Sequence, residues 1–189
     1  MQLQYRLEDT IEIDGINYEL DTSFDVVLRA IDCLGDETLS SLTRLNTSFR
    51  ILFKDESILD KFAHYDSSQK SEIIDNILQN YIGGSEEDNK EYDILGNVIE
   101  KPTSTDSPKL MDFNVDAELI YSAFMQVYKI DLIDEQGKLS WYKFKALLNS
   151  LPEDTEFMKI VQIRAWKPSS DKKRYSEQMR ELQNKYKLK

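Results

Sequence analysis

One histidine, one cysteine and several pairs of acidic residues are all that this chain offers to catalysis. His64 stands between Ala63 and Tyr65. A Ser-His-Asp arrangement would need a carboxylate such as Asp66 to orient it, and no G-x-S-x-G turn accompanies it. It therefore reads as an ordinary surface or part-buried histidine. A zinc site would need several His or Cys ligands, which the sequence does not hold. Asp112 and Asp116 lie one helical turn apart, but carboxylates at a helix start serve capping and complement the dipole. The acidic run Asp131–Gly137 has the look of a calcium loop. Setting Gly137 at the sixth position, however, puts Leu132 at the first, where a carboxylate must stand. The 6 glycines form neither GxGxxG nor GxxxxGKS, so no phosphate cradle is expected. These residues together predict a protein that is not an enzyme and holds no metal or cofactor.

Cys33, between Asp32 and Leu34 in a helical pattern, cannot form an intramolecular disulfide and reads as a buried thiol in a reducing compartment. The 189 residues carry 24 Lys+Arg against 35 Asp+Glu, a net charge of -11. The sequence has no run of about 18 apolar residues, so no membrane-spanning helix is expected. The opening Met1–Arg6 lacks a secretory apolar stretch, so the protein is expected in the cytoplasm. Charge is segregated. From Lys167 onward the chain carries a local +5, whereas residues 1–166 sum to -16. An acidic body repels phosphate backbones, which argues against general nucleic-acid binding. The basic tail is suited to folding back on the acidic body or to meeting an acidic partner.

The elements that must position these residues are mainly helical. Ile11, Ile13, Ile16, Tyr18 and Leu20 alternate around Asp14-Gly15, the pattern of a hairpin with a type I′ turn. After possible capping oxygens on Thr22 and Ser23, one apolar stripe runs through Phe24, Val27, Leu28, Ile31 and Leu34. A second runs through Leu39, Leu42, Leu45, Phe49, Leu52 and Phe53. A short segment with Ile58, Leu59 and Phe62 precedes a helix over Ile73, Ile74, Ile77, Leu78 and Tyr81 that stops at Gly83-Gly84. Residues 83–110 are polar, with a small apolar island at Ile94, Leu95, Val98 and Ile99, and read as a flexible linker. The division is thus 1–82, an N-terminal hairpin plus helical unit; 83–110, the linker; and 111–189, a C-terminal helical unit with a basic amphipathic tail helix.

In the C-terminal unit, Asp112 caps a helix presenting Phe113, Ala117, Ile120, Phe124 and Val127 to a core. Leu119, Tyr121, Met125 and Tyr128 widen its apolar arc toward either a bundle interior or a partner. Ser140 caps Trp141, Phe144, Leu147, Leu148 and Leu151 before Pro152. Asp154 or Thr155 starts Phe157, Ile160, Val161, Arg164 and Trp166, and the tail helix repeats at Tyr175, Met179, Leu182 and Tyr186. Trp141, Arg164 and Trp166 suit an interface anchor, with core packing as the favoured reading. Tyr121, Met125, Tyr128, Trp141, Arg164 and Trp166 are the candidate partner-binding residues.

Six ordered strings resemble the bacteriophage gene-product-fifteen family. They are Asp112-Phe113, Asp116–Phe124, Tyr128–Leu132, Trp141–Leu148, Leu151–Thr155 and Ile163–Trp166. The start of the chain and Asp21–Arg29 are similar to the family more loosely. The resemblance implies a tail-module protein of siphophages and prophages, encoded near the major tail protein and the tape-measure protein. It further implies a tail assembly chaperone, with the tape-measure protein and the major tail (tube) protein as partners and self-association or a partner chaperone as further associations. Such a protein would act in the host bacterial cytoplasm and be absent from the mature virion. A head-tail connector or neck component retained in the virion is the alternative.

Overall fold

The computed structural model describes residues 9–82, 91–92, 98–99, 110–167 and 173–188. Among these the chain is mainly helical with an N-terminal antiparallel hairpin, as the patterning predicts. It divides into two compact units, and the segment Gln136–Phe144 belongs with the N-terminal one. Of the expected linker, the described backbone is the pair Glu91–Tyr92 and Val98–Ile99, together with Leu110; the rest lies outside the described residues.

In the N-terminal unit, β1 (Thr10–Ile13) pairs with β2 (Ile16–Glu19), Ile13 facing Ile16 across the turn. Asp14 and Gly15 both take positive φ, 52° and 78°, as a type I′ turn requires. Ile11, Ile13 and Leu20 are buried, but Ile16 is 56% exposed, because the hairpin tip runs past the core that the alternation predicted it would join. Helix α1 (Phe24–Gly35) starts at Ser23. The expected capping oxygens are used differently: the Ser23 hydroxyl donates to Asp21 Oδ1 at 2.6 Å and that of Thr22 to Asp9 Oδ1 at 2.6 Å. Helix α2 (Ser41–Leu52) is capped by Ser40, whose Oγ accepts from Thr43 N at 3.2 Å. A single turn, α3 (Ile58–Lys61), leads to α4 (Ser67–Ile77). There Asp66 and Gln69 form a capping box, and the helix widens into a π turn over Leu78–Ile82. Phe49, Phe53 and Phe62 cluster with Tyr18 between hairpin and helices. Cys33 is half-buried rather than buried, its Sγ 3.7 Å from the Arg44 carbonyl.

Residues 136–144 complete this core. Phe24 N donates to Leu139 O at 2.9 Å and Trp141 N to Thr22 O at 2.7 Å, a bridge that pairs Ser23 with Ser140. Ser140 does not cap with its side chain as expected: the bridge buries its Oγ, which has no partner among the described residues. Phe24, Phe144 and Trp141 stack at 4.9 and 5.6 Å. The indole of Trp141, 4% exposed, donates to the Ile82 carbonyl at 2.7 Å.

The C-terminal unit contains α5 (Ala117–Tyr128), the later turns of α6 (Trp141–Asn149), α7 (Glu156–Ala165) and α8 (Lys173–Tyr186). Asp112 closes a turn instead of the helix, accepting from Asn114 N and Val115 N, so that α5 begins four residues later than expected, after Asp116. The helix ends on Lys129 at φ 59°. Ile120, Ala123 and Phe124 of α5 are buried, as are Leu148 of α6, Leu151 beyond its end, and Phe157 and Ile160 of α7. Thr155 caps α7 through Met158 N, one of the two residues expected to do so. The tail helix α8 docks on α7 with Met179, Gln183 and Tyr186 half-buried.

Replacing Trp141 with Phe keeps most of the buried ring but removes the indole N–H that donates to the Ile82 carbonyl. Urea unfolding is expected to show a loss of about 0.5–1.5 kcal/mol in the N-terminal unit. Trp166 belongs to the other unit, so the variant's remaining tryptophan fluorescence should report a separate, less affected transition.

Candidate partner-binding surfaces

Helix α5 brings three of the six candidate residues onto one line, because Tyr121, Met125 and Tyr128 follow one another at four- and three-residue steps. All three are half-buried. The Tyr121 hydroxyl donates to Asp131 Oδ2 at 3.1 Å, and this bond to a carboxylate raises the phenol above its ordinary pKa. Tyr128 donates to the Leu147 carbonyl at 2.9 Å and meets Phe124 edge-on at 5.6 Å. With their hydroxyls engaged, the rings and the Met125 thioether offer an incoming chain apolar contact more than hydrogen bonding.

The other three candidates are placed differently. Trp141 sits in the core of the N-terminal unit. Arg164 is an internal scaffold: its guanidinium meets Asp116 at 2.6 and 2.9 Å, with side chains 6% and 2% exposed. It also donates to the carbonyls of Leu110, at 3.1 Å, and Tyr186, at 2.7 Å, tying α7 to the start of α5 and the end of the tail helix. Trp166 is half-buried at the end of α7, and its carbonyl accepts from Gln183 Nε2 at 2.7 Å. The sequence could place Asp116 one turn from Asp112, but not 48 residues away against Arg164.

The N-terminal unit adds a surface that sequence reasoning missed. The overhanging hairpin leaves a groove of about 770 Å³ walled by Ile16, Tyr18, Phe62 and Tyr65, with Lys54 and Lys61 at its rim. A second, of about 460 Å³, lies between β1 and α4 and includes Ile11, Glu12, Glu72 and Ile73. Between them the Tyr65 hydroxyl donates to Asp14 at the hairpin turn. That carboxylate pushes the phenol up to about 12. Lys61 bonds Asp55, which Lys61 and then Ser57 hold down at about 2. Asp14-Gly15 signalled the turn, but no local pattern shows that α3 and α4 leave it overhanging. His64 meets Tyr65 edge-on at 4.6 Å, while Asp66, the carboxylate that would have oriented it, is spent on the amide of Gln69. Among the described residues no three His, Cys, Asp or Glu side chains gather as a metal set, and no helix is long and apolar enough to cross a membrane.

Compared with known proteins, the chain matches one family model, described as Bacteriophage Gp15 protein, over residues 3–188. No curated protein and no solved structure matches it.

Truncating Arg164 to Ala leaves the Asp116 carboxylate buried without its cation. A loss of about 3–5 kcal/mol is expected, read as a fall in the unfolding midpoint of the C-terminal unit. Asp55 gives a milder effect because it is only half-buried and its partner Lys61 is exposed. Its ionised form is the one stabilised, so its contribution is complete above the ordinary carboxylate range and is lost as pH falls through about 2. Carboxyl NMR should show that low titration, and Lys61→Ala should move it upward.

Proposed function

The chain belongs to the bacteriophage Gp15 protein family, and from that premise we propose that it is a tail assembly chaperone. It binds the tape-measure protein in the host cytoplasm, assists addition of the major tail protein and leaves before the particle is complete. Its work is done by contact, without a catalytic step.

The observation that carries this reading is the family match, which spans residues 3–188 rather than one motif. The character of the surfaces supports it. A chaperone of a long, aggregation-prone chain must cover apolar helical faces reversibly, and a line of Tyr, Met and Tyr can do so: aromatic rings give area at small entropic cost, and Met adapts its shape. The half-buried state of Tyr121, Met125 and Tyr128 supplies such a face without a fully exposed patch. Two compact units also suit two partners, the tape-measure protein and the tube subunit.

Mass spectrometry of lysates and of purified virions tests the reading. The protein is expected to co-purify with the tape-measure protein from producing cells and to be missing from mature particles. A stoichiometric amount in virions would make it a connector, neck or other retained tail component instead.

A further inference from the structure

The two apolar stripes of the N-terminal unit do not stay buried along their length. On α1, Phe24 and Val27 are covered, whereas Leu28 and Leu34 are half-buried and Ile31 is 37% exposed. On α2, Phe49 and Leu52 are covered, Leu45 is half-buried and Leu42 is 53% exposed. Burial therefore falls away on both helices in the same direction, toward the loop that joins them. The two helices pack together, and Arg44 donates to the Leu34 carbonyl at 3.1 Å, which holds these ends side by side. Leu28, Ile31, Leu34, Leu42 and Leu45 continue the core stripes beyond the point where the rest of the unit covers them. They leave apolar surface at the loop end of two packed helices, which a third amphipathic helix can cover.

The charge around this surface says what kind of helix fits. The last turn of α1 has no basic residue of its own, and its carbonyls point toward the loop bearing Asp36 and Glu37. Asp36 accepts from both the amide and the hydroxyl of Thr38, at 2.9 and 2.6 Å, bonds that favour its ionised form. Arg44, the nearby cation, is already engaged with the Leu34 carbonyl and Ser41 Oγ. Residues 9–82 as a whole hold 15 acidic and 6 basic side chains, a net -9. A second copy presenting the same acidic unit here would set like charge against like, and the basic tail helix of such a copy is already packed against its own α7. We propose that the loop end of the α1–α2 pair is a docking seat for an amphipathic helix of another protein whose apolar stripe is flanked by Lys or Arg. The seat deepens the chaperone reading and rests on it only for the partner's identity. Its own test uses synthetic peptides, so either idea can fail without the other.

The full-length protein is titrated into a fluorescently labelled peptide of roughly 20 residues, long enough to form a helix, with a Leu stripe and Lys flanks. The control has the same stripe and Glu flanks. The Lys peptide is expected to bind at least about tenfold more tightly than the control, and more weakly as salt is raised. Leu42→Asp, at an exposed position, should weaken it by a similar factor with an unchanged circular dichroism spectrum. Ile31→Asp provides a second variant if the first perturbs folding. No binding, equal binding of the two peptides, or binding indifferent to both substitutions would overturn the seat. A wild-type dimer that Leu42→Asp dissociates would overturn it as well, by making a second copy the occupant.

Discussion

Every α-helix ends with carbonyls that have no intrahelical partner, and here those orphans are met by side chains from elsewhere in the chain. Arg44 reaches the Leu34 carbonyl at the end of α1; Trp141 and Tyr142 reach Ile82 and Asn80 at the end of the π turn. Tyr128 takes Leu147 near the end of α6, Gln183 takes Arg164 and Trp166 at the end of α7, and Arg164 takes Tyr186 at the end of α8. Among these ends, α1, the stretch through the π turn, and α6 carry no basic residue in their last turn. Long-range donors therefore do work that local Lys or Arg would otherwise do, and each fixes a helix end to a particular neighbour.

The same donors decide which residues remain for a partner. Trp141 and Arg164 have the composition of interface anchors, yet their nitrogens are committed inside their own units. Tyr121 and Tyr128 engage their hydroxyls internally, and the Tyr128 ring also meets Phe124, yet both are only half-buried and keep some ring surface in reach of solvent. Aromatic and Arg side chains are thus divided by hydrogen bonding into scaffold and contact. For a phage protein proposed to act by transient contact, that division leaves the contact surfaces apolar and weakly directional, which favours covering a partner over fixing one rigid pose.

Much of the local structure was legible in sequence. Asp14-Gly15 requires two positive φ angles and obtains them; Thr155 caps α7, and Pro152 follows the end of α6. Each depends on residues within a few positions of one another, where chemistry and geometry are tied by the backbone itself. The misreadings share the opposite property. Asp112 looked like the cap of α5, but the buried site four residues on was claimed by Asp116, because Arg164 supplies its counter-charge. Ser140 looked like a cap until the bridge to Ser23 buried it.

The apolar stripes show where the boundary falls. Three- and four-residue spacing determined that Phe24 through Leu34 and Leu42 through Leu52 would form amphipathic helices, since periodicity is a property of the helix alone. The acidic body and basic tail were likewise fixed by composition. Only the tertiary structure decided that Phe49 is covered and Leu42 is not, that residues 136–144 complete the N-terminal core, and that the hairpin overhangs a groove. Burial is a relation between segments distant in sequence, and no local pattern says which segment will arrive to cover which end of a stripe.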